Sequence, residues 1–247
     1  MVGHVYFWQG GSLWIGTGMG RTDWHDHHAH QISFSLGGTF QFRAHATQAW
    51  QDYVGSVVPS HQKHQFECDG QIAHVFIEPE TVEGRALRAR FTGSGITALA
   101  EPECRGTIAM LIDALQRSAG IDETISVART AVAALVRASS PDAAVDARVI
   151  RVIEYLRSRV RHPSSLADAA AVAALSPGRF RHVFVEETGT SFRAYVLWLR
   201  LHAAIETAMA GESWTTAAHE AGFADSAHLT RTFKRMFGIN PTTLVTS

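Results

Sequence analysis

Cysteine is almost missing from this chain of 247 residues: Cys68 and Cys104 are its only two, too few for a disulfide framework. Long apolar runs are missing too, because Arg129 interrupts the best alanine- and valine-rich stretch before it reaches the ~18 residues a bilayer span needs. The start, Met1-Val-Gly-His-Val-Tyr, has no basic segment followed by an apolar one and does not read as a secretion signal. Strong charge of either sign is absent, with 22 Lys plus Arg against 23 Asp plus Glu. The sequence also shows no paired carboxylates, no nucleophile beside a base and no phosphate-cradling glycine loop, which argues against an enzyme. These absences predict a protein of the reducing cytoplasm with no membrane segment. A hydrophobic content of 46% supplies core for two modules.

What is present is a repeat. Leu166-Ala-Asp-Ala-Ala170, a turn, and Phe180-Arg-His-Val-Phe184 to Gly189 resemble Trp214-Thr-Thr-Ala-Ala218, a turn, and Leu229-Thr-Arg-Thr-Phe233 to Gly238. The first segments are 48 residues apart and the second segments 49, so one extra residue enters at the turn. A small alanine where two short helices cross, and an apolar pair four apart on the second helix, are what a helix-turn-helix needs to pack. Between the repeats, Phe192, Tyr195, Val196, Leu199 and Ala203 fall at helical spacing, predicting one helix from Ser191 to Ala210. At ~1.5 Å per residue it spans roughly 30 Å, close to one turn of DNA, so two second helices can enter successive major grooves. From Asp146 onward there are 12 Lys plus Arg against 9 Asp plus Glu, a charge of +3. Phosphate attraction is therefore modest, and binding should weaken with salt.

The run Ala218-His-Glu-Ala-Gly222-Phe223-Ala-Asp225-Ser-Ala-His228-Leu-Thr-Arg231-Thr-Phe233-Lys234-Arg235-Met-Phe237-Gly238-Ile-Asn-Pro241, with Glu187-Thr188-Gly189 and Leu199-Arg200-Leu201, resembles the DNA-binding domain of the AraC/XylS family of bacterial transcription regulators. The resemblance covers about Asp146 to Val245. It implies that early, outward positions of each second helix read bases: Gly178, Arg181 and His182 in the first unit, Ser226, Ala227, Thr230 and Arg231 in the second, with Arg179 and His228 also facing DNA. His182 stands where the family commonly has Arg, and Gly178 brings no side chain, so the first unit holds mostly phosphates or reads a different base set. Arg181 and Arg231 are the candidates for bidentate bonding to guanine; a purely phosphate-holding role is the alternative for each.

The front of the chain reads as short strands, Gln31–Leu36, Thr39–Arg43, Gly55–Val58 and Ile72–Ile77, punctuated by Gly37-Gly38, Pro59-Ser60, Asp69-Gly70 and Glu78-Pro79. That spacing predicts an antiparallel sandwich or small barrel. Glu103 to Arg137 turns helical, around Met110, Leu111, Ile112, Leu115, Val127, Ala131 and Leu135; these helices either form a dimer surface or only cover the barrel. The expected class is α+β: an effector domain over 1–95, a helical connector over 96–140, and an all-α DNA-binding domain over 146–247 with two helix-turn-helix units joined by a long helix.

Histidine is abundant, with 14 residues. His25 and His27 share a face in an extended segment, and a barrel can bring His64 beside them. The pattern His25, His27, Gln31, Gly38, His64 resembles the cupin fold, a small β-barrel that often forms the effector domain of AraC-type regulators. There the resemblance implies one divalent transition metal (Zn, Ni, Cu, Fe or Mn) on His25, His27, Gln31 and His64, or a metal-free pocket for an organic effector. Gln31 replaces the usual acidic ligand with a weaker, neutral amide. His28, His30, His45, His61 and His74 read as surface or packing residues, and Cys68 as a small buried one.

The leading expectation is a homodimeric, sequence-specific regulator of transcription that binds double-stranded DNA, senses a small molecule or metal, and works with RNA polymerase. The alternatives are a cupin-type metal-dependent enzyme fused to a DNA-binding domain and a constitutive regulator without effector.

Overall fold

The computed structural model describes residues 3–17, 20–93, 95–139 and 144–244; the expected domain limits at 1, 140 and 247 lie outside them. Ten strands come first: β1 Gly3–Trp8, β2 Gly11–Thr17, β3 Gly20–Arg21, β4 His30–Ser35, β5 Phe40–Arg43, β6 Gln51–Tyr53, β7 Gly55–Val58, β8 Gln65–Cys68, β9 Gln71–Ile77 and, after helix α1 Val82–Arg90, β10 Thr97–Ala98. They form two antiparallel sheets, in the orders β1-β2-β9-β4-β7-β10 and β3-β8-β5-β6.

The central strands of the larger sheet, β2, β9, β4 and β7, are buried on both faces, and the residue types sort by face. Ile32 and Phe34 on β4, with Ala73, Val75 and Ile77 on β9, join one apolar cluster with Leu87 of α1. The alternate residues Gln31, Ser33 and His74 are equally buried but hydrogen-bond to one another, His74 Nδ1 lying 2.8 Å from Ser33 Oγ and 3.1 Å from the Gln31 amide nitrogen. This is the period-2 geometry of a strand with an apolar outer face and a polar inner one. A second cluster, including Phe40, Phe42, Tyr53, Phe66 and Cys68, fills the smaller sheet's side.

Helices α2 Glu101–Gln116 and α3 Ile121–Val136 bury Cys104, Leu111, Ala128, Ala131, Val132 and Leu135 in the same cluster as the outer face of the larger sheet. They cover that sheet, while Met110 and Ile121 stay exposed. The remaining helices are α4 Ala147–Ser158, α5 Leu166–Val172, α6 Pro177–Thr188, α7 Phe192–Met209, α8 Trp214–Glu220 and α9 Ser226–Phe237. The helix expected from Ser191 to Ala210 is α7, with Ser191 as its N-cap and Ala210 as its C-cap.

The chain divides into two compact units, Met1–Asp142 with Lys234–Ser247, and Ala143–Phe233. The boundary falls inside α9. No described helix is long and apolar enough to cross a membrane.

Candidate nucleic-acid interface and metal centre

Each helix-turn-helix is set by caps and by small residues at its crossing. Ser165 Oγ accepts from Asp168 N at 3.1 Å to start α5, and Ser213 Oγ accepts from Thr216 N at 3.1 Å to start α8. Ser176 Oγ accepts from Arg179 N at 3.3 Å, and Asp225 Oδ1 from His228 N at 2.6 Å. These bonds satisfy amides that the first turn of a helix leaves unpaired. Ala169, Ala170, Ala217 and Ala218 are buried where the helices meet, and Phe180, Phe184, Leu229 and Phe233 are fully buried on the second helices.

The opposite faces of α6 and α9 are open. Gly178, Arg179, Arg181, His182, Ala227 and Arg231 are exposed, and Ser226, His228 and Thr230 half-exposed. Two residues of this set are partly engaged already: the Thr230 hydroxyl donates to the Ser226 carbonyl at 2.8 Å, and the His228 ring packs edge-on against Phe223, 5.2 Å between centroids. Three guanidinium groups, of Arg179, Arg181 and Arg231, and the His182 imidazole remain displayed on short, rigid, capped helices, the arrangement a major-groove reader presents.

In the turns the two units differ. Ala174 adopts a left-handed backbone, φ 53°, where its counterpart is Gly222, φ 77°. Nothing in the sequence reading singled out Ala174, because only a backbone dihedral reveals the strain.

Three of the 14 histidines meet inside the N-terminal unit. His25, His27 and His64 are buried, and each offers one ring nitrogen such that all three nitrogens lie within 4.8 Å of one another. An isolated backbone bridge between His25 and His64 brings two of them together. Carbonyl oxygens fix the rings. His25 Nδ1 lies 2.9 Å from the Asp23 carbonyl, His27 Nδ1 2.8 Å from that of Ala29, and His64 Nδ1 2.8 Å from that of Gln62. A carbonyl only accepts, so in His25 and His64 Nδ1 carries the proton and Nε2 keeps its lone pair, whereas His27 faces an oxygen at both nitrogens.

Burial lowers the pKa of all three below the ordinary histidine value, to about 4 for His25 and well below for His64, the neighbouring histidines adding to the effect. All three are therefore neutral at pH 7. His64 Nε2 has no hydrogen-bond partner among the described residues. Gln31 sits beside this trio, its amide oxygen 2.9 Å from His27 Nε2 and its amide nitrogen 3.1 Å from Ser33 Oγ; that oxygen accepts from the ring and so competes with the Ala29 carbonyl for the one proton of neutral His27.

Of the other histidines, His28 pairs with Glu80 at 2.8 Å in the interior, while His30 and His74 are buried and His45 and His61 exposed. The Cys68 thiol contacts the Gly70 carbonyl, and burial raises its pKa.

Residues 169–247 match a family described as "Helix-turn-helix domain". This segment is an AraC-type helix-turn-helix domain. The whole chain is similar in structure to ToxT from Vibrio cholerae O395, with a TM-score of 0.62 at 12% identity over 94% of this chain and 95% of that one. It is also similar to ToxT from the same source bound to (E)-4-(8-methylnaphthalen-1-yl)but-3-enoic acid, at 0.61 and 10% over 98% of each chain. A third likeness is to unsaturated fatty acid bound ToxT from Vibrio cholerae strain SCE256, at 0.59 and 12% over 94% and 93%. Identities this low establish a shared fold. No curated protein matches the chain. The AraC-type domain contains α6 and α9 with every exposed residue named on them, and the histidine trio lies outside it.

Proposed function

We propose that this chain is a sequence-specific transcription regulator that binds double-stranded DNA through α6 and α9 and senses a divalent transition metal through His25, His27 and His64. The observation that carries the sensing half is the orientation of the three rings. His25 and His64 are pinned by a carbonyl at Nδ1 and keep a lone pair at Nε2, as metal-bound histidines are held by their outer partners, and His27 would take the same form once the Gln31 amide oxygen turns away from its Nε2. Three neutral, buried lone-pair donors suit Zn, Ni, Cu, Fe or Mn, and the unpartnered His64 Nε2 gives the ion a group that nothing else satisfies. A bound ion would supply a fixed positive charge and hold the rings together; Gln31 would give up or share its contact with His27.

Organic effectors fit elsewhere. ToxT has been solved with a fatty acid, but the space beside this trio, lined by His25, Gln31, His74 and Phe76 among others, is about 20 Å³. Pockets for organic ligands run to roughly 300–1,000 Å³. A cleft of about 550 Å³ between Trp8 and Gly10 of the first hairpin, Glu83 of α1 and Arg129 of α3 has that size, and it carries the second reading, an organic effector bound outside the sheets. Homodimerisation through the exposed sides of α2 and α3, recruitment of RNA polymerase and a cytoplasmic location complete the proposal.

The deciding experiment measures metal in untagged protein purified without chelators, beside a His25→Ala/His27→Ala/His64→Ala variant. About one ion per chain, lost in the variant, is expected. Metal-free protein that also gains none on dialysis against Zn²⁺ would remove the metal reading and leave the 550 Å³ cleft. Selection of duplexes from a random pool tests the DNA half, with a recurrent sequence expected.

A further inference from the structure

The histidine trio has a neighbour far along the chain. At the end of α9 the Phe237 ring packs on Trp14, 4.6 Å between centroids, on Phe76 at 5.8 Å, and 6.3 Å from His27. The next residue, Gly238, is left-handed at φ 69°, and its carbonyl accepts from Asp23 N at 2.8 Å. A Cβ at Gly238 would lie 2.5 Å from the Asp23 carbonyl oxygen and 2.6 Å from His25 Nδ1. That same Asp23 carbonyl holds His25 Nδ1. Lys234 Nζ meets Asp23 Oδ2 at 2.9 Å, and Phe237 and Ile239 line the 20 Å³ space beside His25 and Gln31. All these residues belong to one compact unit.

We propose that residues 234–239 form a wall of the metal site, so that metal occupancy and the seating of the end of α9 on Asp23 and Trp14 are one linked equilibrium. This rests on the metal reading above. The adjoining 20 Å³ space, lined by His25 but by neither His27 nor His64, leaves room beside the ion for at most a water-sized companion ligand, which sets the ligand class. An ion on His25 Nε2 polarises the ring and strengthens its Nδ1–H bond to the Asp23 carbonyl. Asp23 is the shelf on which Gly238 rests, so the occupied site seats the segment more firmly. By reciprocity, the seated segment holds the ion more firmly.

The test uses the full chain with Co²⁺ as probe. Hydrogen exchange of 234–244 should slow at least fivefold on Co²⁺ binding, while α6, over 177–188, stays unchanged. Release of Co²⁺ to excess chelator should be at least tenfold faster in Phe237→Ala than in the unsubstituted chain, with the triple histidine variant binding none. Co²⁺ binding that leaves exchange over 234–244 unchanged overturns the link and keeps the metal site. Absence of Co²⁺ binding to the unsubstituted chain overturns the metal reading and the link with it. If Phe237→Ala does not fold, the exchange measurement on the unsubstituted chain decides alone.

Discussion

The second helices of the two helix-turn-helix units, α6 and α9, share a plan and part company at their last turn. Phe184 and Phe233 are matching core residues, and Gly189 and Gly238 end the helices with matching left-handed turns, φ 72° and 69°. At the position before the glycine, α6 has Thr188, whose hydroxyl donates back to the Phe184 carbonyl at 2.7 Å. The counterpart in α9 is Phe237, packed against Trp14 and Phe76. Val185, exposed on α6, corresponds to Lys234, paired with Asp23. One copy closes on itself and the other carries groups aimed at the N-terminal sheet. The outward face of the first half of each helix is left exposed, and the far half of only α9 packs on the N-terminal sheet.

Matched substitutions test this contrast. Phe184→Ala and Phe233→Ala remove fully buried rings and should each cost ~3–5 kcal/mol in urea unfolding; a loss confined to one of them would show that the two cores are not equivalent. Gly238→Ala should cost ~2–4 kcal/mol, since a left-handed alanine is strained and its methyl has no room. Gly189→Ala meets open space and should cost only the ~1–2 kcal/mol of backbone strain. Equal losses at the two glycines would contradict the seat on Asp23.

Arg231→Ala should weaken binding to a selected duplex by ~1–3 kcal/mol while leaving random DNA nearly unaffected. Arg181→Ala should do the same only if the first unit reads guanine, and a uniform loss on all sequences would make it a phosphate contact. The smallest effect belongs to the turns. Ala174→Gly relieves left-handed strain but adds unfolded-state entropy, for a net gain of ~0.5–1 kcal/mol in unfolding free energy. A loss there would mean that the Ala174 methyl packs usefully.

Local pattern made much of this legible. The spacing of Phe192, Tyr195 and Leu199 carried α7, and His25-x-His27 with a distant His64 pointed to the three residues that meet. Less legible was the hairpin of β1 and β2, because β2 is buried at six consecutive positions, Gly11 to Gly16, and so shows no alternation. Strand β8 was hidden for the same reason, with Gln65, Phe66 and Cys68 all inside. Phe237 looked like another apolar residue four beyond Phe233. Its contact with Trp14 joins residues more than two hundred positions apart, and no periodicity encodes such a pairing.

The discontinuity of the N-terminal unit also orders events during synthesis. His25, His27 and His64 leave the ribosome well before Phe237, by ~170 residues or roughly 10–30 s at ~5–20 residues per second. Throughout that interval the sheets can fold and the imidazoles can meet with one side open to the surroundings. On the metal reading proposed above, the nascent protein would have its own loading period, and an ion bound then would be enclosed when the last turn of α9 arrives.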